Sequence, residues 1–246
     1  MRVFAISDLH LSLAGGKLQR PMDRFGAVWA DHHKQIEADW RERVSPADIV
    51  LVAGDISWAS RLADAQEDLL WLDRLPGEKI LVEGNHDWWM PPSVNKARAV
   101  LPPSVRMVMR DALLVGDVIL FGTRLWRIPG LDFPEDPRDE TETDAHDAKT
   151  LGRELARLKL SIEAASLLSG QNPGAVKICM THFPPADFSG RTNQVTEMLA
   201  DLGTQTCIFG HVHGLPPGPN GVLIQGCRYY LTTPDYLQFR LLEIAL

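Results

Sequence analysis

Residues 79–90 read KILVEGNHDWWM. The first half is a short apolar run with the Ile/Leu/Val content of a buried strand. The second half presents an amide, an imidazole and a carboxylate in a row (Asn85, His86, Asp87), then two tryptophans. A strand that ends by offering metal-capable and proton-transferring side chains is a functional edge, not a quiet turn. The same pattern recurs along the chain. RVFAIS (2–7) runs into Asp8-Leu9-His10, DIVLVAG (48–54) into Asp55, VKICMT (176–181) into His182, and TCIFG (206–210) into His211-Val212-His213. Ligands of open α/β sheets bind beyond the carboxyl ends of the strands. Five such ends here carry residues able to hold a metal.

Helical patterns separate these strands. They cover 25–44, a stretch from a Ser60 cap to about Leu75 with Leu62, Leu69 and Leu72 on one stripe, 142–168, and 192–203 with Thr192 as its cap. The alternation argues for an α/β fold. ALLVGDVILFGT (112–123) reads as a hairpin around Gly116-Asp117. GVLIQGCRYYLTT and LQFRLLEI near the C-terminus read as adjacent antiparallel strands, so the sheets are mixed. The proline-rich, acidic stretch 127–144 reads as a surface excursion leading to a helix, and 1–246 as a single domain.

The 246 residues, 45% of them apolar, allow a substantial core. The 25 basic and 32 acidic residues leave a net charge of −7, which argues against nucleic acid or an anionic membrane as partner. No apolar run approaches the ~20 residues of a membrane span, and no signal-peptide core follows the N-terminus. Cys179, Cys207 and Cys227 are too sparse for a disulfide framework and read as buried, reduced thiols. A cytoplasmic location is the expectation. Nothing in the sequence sets an oligomeric state.

Five of the eight histidines fall at the strand ends: His10, His86, His182, His211 and His213. Asp-x-His and His-x-His place two ligands at i and i+2, on one side of an extended backbone. Glycines before Asp55, Asn85 and His211 are expected to let the chain turn where ligands converge. Asp8, His10, Asp55, Asn85, His182, His211 and His213 give seven nitrogen and oxygen donors. That is too many for one four-coordinate zinc. It suits two divalent or trivalent ions, Mn²⁺ and/or Fe, with Zn²⁺ possible.

Asp8-x-His10, Gly54-Asp55, Gly84-Asn85-His86-Asp87, His182 and Gly210-His211-x-His213 together resemble the five motifs of the calcineurin-like metallophosphoesterases, in the family's order. The resemblance implies a four-layer α/β/β/α sandwich with two mixed β-sheets and the site at one edge. It implies that Asp8, His10 and His213 hold one metal, that Asn85, His182 and His211 hold the other, and that Asp55 bridges them. A metal-bridging hydroxide would attack phosphorus in a phosphomonoester or phosphodiester. His86 would serve the phosphate or leaving oxygen as general acid or charge stabiliser, with Asp87 fixing its imidazole and favouring the protonated form.

The chain departs from the protein serine/threonine phosphatases of this superfamily. It reads GDISWASRLAD after the Gly-Asp motif, without Asp-Arg-Gly, and has Asp87 where they carry Glu. It is closer to small bacterial members, so a small phosphate ester is the expected partner. Cyclic-nucleotide or other phosphodiesterase action is the alternative. A non-catalytic scaffold of the same fold is the reading from another class, and it would predict missing ligands.

Several residues have plainer readings. His32 and His33 read as a solvated helix face and His146 as surface. Trp88 and Trp89 read as loop packing, with substrate stacking as the alternative. Arg124 reads as structural, with the substrate phosphate as its alternative partner.

Overall fold

The computed structural model describes residues 1–14, 17–20, 22–131, 133 and 144–246. The first strand shows how the layers arise. In β1 (Val3–Ile6) the side chains alternate between two apolar environments and none reaches solvent. Phe4 and Ile6 face the helices, in a core with Trp40, Leu69 and Leu72. Val3 and Ala5 face the opposite way, into a core with Ile178, Met180 and Ile208. A strand buried on both faces must lie between two layers, and its run of apolar residues is the consequence.

The strands form two main sheets. In chain order they are β1, the two-residue β2 (Leu13–Ala14) and β3 (Lys17–Leu18), β4 (Ile49–Ala53), β5 (Glu78–Val82), β6 (Val105–Met107), β7 (Ala112–Val115), β8 (Val118–Thr123), β9 (Val176–Thr181), β10 (Thr206–Phe209), β11 (Val222–Ile224), β12 (Cys227–Leu231) and β13 (Leu242–Ile244). One sheet has the order β13-β1-β4-β5-β6, the other β11-β12-β10-β9-β8-β7. In the first, β1, β4, β5 and β6 run parallel and β13 runs antiparallel beside β1. In the second, β8, β9, β10 and β12 are parallel, with β7 and β11 antiparallel at the two edges.

Helices α1 (His32–Arg43) and α2 (Leu62–Asp73) cover the first sheet. A short α3 (Val94–Ala99) follows β5. Helices α4 (Asp144–Gln171) and α5 (Gln194–Asp201) cover the second sheet. The result is the four-layer α/β/β/α sandwich with two mixed sheets that the resemblance implied. The hairpin at 112–123 is present with Val115 opposite Val118.

Several local expectations are corrected. The helix expected over 25–44 begins at His32, after two 3₁₀ turns at Met22–Phe25 and Ala27–Trp29. Ser60 does not cap α2, whose N-cap is Arg61 without a side-chain bond, although Leu69 and Leu72 are buried as expected. Thr192 does not cap α5. Asn193 does, with Thr196 completing a reciprocal capping box. The two C-terminal stretches do not pair with each other. β11 and β12 form one hairpin, and β13 joins the first sheet next to β1. Most of the excursion at 127–144, and the start of the helix expected from 142, lie outside the described residues.

His32 is fully buried, with Nε2 2.9 Å from the Leu9 carbonyl oxygen. The solvated-face reading of its helix position is therefore wrong, because α1 turns this first residue inward beneath the β1 loop. All three cysteines are free and buried. Among the described residues no helix is long and apolar enough to cross a membrane.

Candidate metal centre

The parallel strands β1, β4 and β5 end on the same edge as β9 and β10, and the two sheets meet there. The Asp8 amide donates to the Gly54 carbonyl (2.9 Å), and the His10 amide to the Asp55 carbonyl (3.0 Å). These bonds lay the β1 and β4 loops side by side. Within the second sheet the Gly210 amide donates to the His182 carbonyl, and across the sandwich the Ser7 amide donates to the Thr232 carbonyl, both at 3.0 Å. Neighbouring motifs within each sheet are thus tied by backbone bonds before any side chain is considered, and the Ser7–Thr232 bond joins the two sheets beside them.

The backbone delivers the ligands differently from the extended geometry expected. Asp8, His10, Asp55 and His211 have φ of 50°, 43°, 52° and 71°. Left-handed backbone costs a residue with a Cβ roughly 1–2 kcal/mol, and Asp and His are among those that tolerate it best. Strain gathered on four metal-capable residues is a mark of a functional site. The glycines also act otherwise than expected. Gly54 has φ +87°, a true turn, but Gly84 and Gly210 do not need a positive φ. They are glycine for clearance: a Cβ on Gly84 would run into Asp55 Oδ1, and one on Gly210 into Asp8 Oδ2.

All seven sequence-predicted metal ligands come together. His10 Nε2 is 3.4 Å from His213 Nε2 and 3.8 Å from both Asp8 Oδ1 and Asp55 Oδ2. His213 Nε2 is 3.4 Å from Asp8 Oδ1. On the other side, Asn85 Oδ1 is 2.7 Å from His182 Nε2 and 3.1 Å from His211 Nδ1. His182 Nε2 is also 3.5 Å from Asp55 Oδ1. Two clusters result, with Asp55 reaching both. Asp8, His10 and His213, and likewise Asp8, Asp55 and His182, present ligand atoms within 4.8 Å of one another.

The chemistry of this donor set fits bound cations. His182 Nδ1 is 2.9 Å from the Ala53 carbonyl oxygen, which can only accept. The proton therefore sits on Nδ1, and Nε2 turns a lone pair toward the cluster. His213 Nδ1 is likewise bound to Asp235 Oδ1 at 3.1 Å. Asp8 Oδ1 is buried with no hydrogen-bond partner among the described residues, a costly state for a carboxylate oxygen unless a cation satisfies it.

The electrostatics carry the same mark. Burial and the neighbouring Asp8 and Asp87 push the Asp55 carboxyl well above its usual range. Burial also tends to raise Asp8, yet the surrounding imidazoles, His213 foremost, hold it far below. Burial drives His182 down to about 3 and His10 well below its usual value. Burial alone would lower His213, but its bond to Asp235 and the charge of the nearby Asp8 carboxylate carry it up to about 10. Carboxyls and imidazoles crowded like this compete for the same protons, and cations remove the competition.

His86 stands at the rim. Its amide donates to Asp55 Oδ1 at 2.9 Å, and its Nε2 lies 4.0 Å from Asp55 Oδ2. Burial lowers its pKa to about 4. Asp87 does not orient this ring. Its carboxylate accepts from the amides of Ile56, Ser57 and Gly84 and from Trp89 Nε1, all at 2.9–3.1 Å. Among the described residues His86 Nδ1 has no hydrogen-bond partner. Asp87 is the staple that holds the β5 loop against the β4 loop. The two tryptophans differ as well. Trp89 is buried, whereas Trp88 is 57% exposed with its ring edge toward His86.

Three features were not read from the sequence. Asp235, in the loop after β12, supports His213. Trp58 stacks on His10 at 4.7 Å and leans on His86 at 4.3 Å. Trp29 sets its edge against His213 at 5.3 Å. The aromatics carry no motif, and Asp235 lies 22 residues beyond the ligand it supports. Arg124 is held by Glu154 (3.3 Å) and Glu83 (3.8 Å) and lies over Trp126, in keeping with its structural reading.

The cluster floors an open cavity of about 1270 Å³. The sequence has a 41% identical match over 86 residues in the Gene 66 protein of Mycobacterium phage D29; the match spans 35% of this chain and 40% of the phage protein. The fold is similar to phosphopantetheinyl hydrolase from Mycobacterium tuberculosis, with a TM-score of 0.57 at 15% identity over 99% of this chain and 95% of that one. It is also similar to the protein TT1561 of Thermus thermophilus, with a TM-score of 0.54 at 14% identity over 99% and 97%. The family model of the calcineurin-like phosphoesterases matches residues 1–215. With that match covering all five strand-end motifs, the chain belongs to the calcineurin-like phosphoesterase family.

Proposed function

We propose that the protein is a dinuclear metal-dependent hydrolase of a small phosphate ester, a monoester or a diester, acting in the cytoplasm. The convergence of seven nitrogen and oxygen donors into two linked clusters on one cavity floor carries this reading. Asp8, His10 and His213 would hold one ion and Asn85, His182 and His211 the other, with Asp55 shared. Two bound ions would neutralise the phosphoryl charge and supply an activated water. Mn²⁺, Fe and Zn²⁺ all suit this donor set.

The chain's own groups then divide the work. The Ala53 carbonyl and Asp235 fix the tautomers of His182 and His213, so each imidazole presents its lone pair inward. His86 Nε2 faces the cluster from the rim; a phosphoryl anion bound beside it would favour the imidazolium, which is then placed to give a proton to the departing oxygen or to hold its charge. Trp58 walls one side of both His10 and His86 and excludes water from that face. The net charge of −7 supports a small substrate over nucleic acid.

The test is turnover by protein stripped of metal and reloaded with Mn²⁺, on p-nitrophenyl phosphate and bis-p-nitrophenyl phosphate. Metal-dependent release from either supports the reading, and the ratio of the two sets the ester class. No release, with two ions bound per chain, would favour the scaffold reading.

A further inference from the structure

The cavity above the metal cluster is far larger than a phosphoryl group needs, and its walls differ. Part of its lining is apolar and built from three chain segments. Phe25 and Val28, from the 3₁₀ turns before α1, line it together with Trp58 and Trp88 from the β4 and β5 loops. Phe25, Val28 and Trp88 are 58%, 62% and 57% exposed. Exposed large apolar residues are ordinary when scattered and informative when gathered. Here three gather around one opening, continuous with the reacting end, since Trp88 meets His86 edge-on at 5.4 Å and Trp58 leans on it at 4.3 Å. The elements of the second sheet bring a different chemistry to the same cavity: Arg124 and Arg127 follow β8 and Arg153 lies on α4.

From this asymmetry we infer that the substrate's alcohol carries an aromatic or aliphatic body that lies along Phe25, Val28 and Trp88 while its phosphoryl group sits on the metal cluster. This rests on the phosphoesterase reading and narrows it to esters of apolar alcohols. Sugar phosphates and other compact hydrophilic esters would leave the apolar wall wet. Trp88, the alternative reading of which was substrate stacking, becomes a specificity residue. It and Trp58 offer a flat surface directly beside His86, where a leaving group must pass.

The experiment compares phenyl phosphate with biphenyl-4-yl phosphate, each as monoester and as methyl diester, because the two alcohols have similar acidity and differ in apolar area. The Mn²⁺-loaded protein is expected to favour the biphenylyl ester about ten- to thirtyfold in kcat/KM. In Phe25→Ser/Val28→Ser and in Trp88→Ala the preference should fall toward one. Binding gives a readout independent of turnover: biphenyl-4-ylphosphonate should bind at least about tenfold tighter than methylphosphonate by calorimetry, and should quench tryptophan emission less in Trp88→Ala. Turnover of both esters at equal efficiency, with equal phosphonate affinities, would overturn the inference and leave the phosphoesterase reading intact. No turnover of any ester would count against that reading, and the phosphonate affinities would still decide whether the wall binds an apolar body. A preference that survives all the wall substitutions would place the apolar body elsewhere and overturn the assignment.

Discussion

Asp235 Oδ1 sits 3.1 Å from Nδ1 of His213, and its other oxygen accepts the Gly214 amide at 2.7 Å. One carboxylate therefore fixes both the ring of a proposed metal ligand and the backbone that follows it. The imidazole can only donate from Nδ1 to this partner, so its Nε2 is committed to the cluster. Loss of such a support typically costs about 10–100-fold in metal affinity. Asp235→Asn is expected to weaken one of the two metal-binding steps by about that factor while leaving the far-UV spectrum unchanged. Chelator-competition titration measures it, and an unaltered pair of affinities would show that His213 is held well enough without Asp235.

Gly84 and Gly152 should respond to alanine in opposite ways. A methyl at Gly84 meets the Asp55 carboxylate and backbone, whereas at Gly152, within α4, nothing lies within 4 Å. Gly84→Ala is expected to lose about 1–3 kcal/mol and to bind fewer than two ions, since the shared ligand must move. Gly152→Ala should gain roughly 0.5–1 kcal/mol from the helix, with metal content untouched. Thermal unfolding alongside metal analysis separates the two. Full metal occupancy in Gly84→Ala would refute the clearance argument.

The five strands and the convergence of the donor residues past their ends were legible because buried parallel strands make unbroken apolar runs, and because histidines clustered just past their ends. Local devices were less legible. Ser60 and Thr192 looked like caps, but capping depends on a φ/ψ that the sequence does not reveal, and Asn193 took the second position with Thr196 as its partner. β13 was misplaced because its partner is β1, at the opposite end of the chain, a pairing set by topology. The loop geometry failed for a related reason. Extended i, i+2 ligands are a default of strands, whereas Asp8, His10 and His211 lie past the strand ends in left-handed backbone. His32 was misread because a helix N-terminus that tucks under a loop has the same local pattern as one facing water.

That buried histidine gives the protein a pH-dependent stability. Burial holds His32 down to about 4, against 6.5 in an unfolded chain. Between those values the unfolded state binds the extra proton and the folded state does not. The His32 contribution is therefore complete above pH ~6.5 and is lost as pH falls toward ~4, a cost of about 3 kcal/mol. Denaturant unfolding of wild type and His32→Gln over a range of about pH 4–7 should show a gap that changes with pH by about that amount. Parallel curves would mean that the ring titrates alike in both states.

His86 and Asp87 are neighbours in sequence, yet their substitutions should fail in different ways. Asp87 collects three backbone amides and an indole N–H in a buried site, so Asp87→Ala strands four donors at once and releases the β5 loop from the β4 loop. A loss of about 3 kcal/mol or more in stability is expected, with metal binding impaired because Asn85 rides on that loop. The His86 ring makes no bond on which the loop depends, and its amide bond to Asp55 survives truncation. His86→Ala should keep its stability within about 1 kcal/mol and bind both ions, while kcat on an alkyl ester falls by roughly 10²–10⁴. The fall should be smaller on p-nitrophenyl esters, whose leaving oxygen hardly needs a proton. Equal losses on both esters would assign His86 to the phosphoryl oxygens instead of the leaving group, and no loss on either would remove it from the reaction.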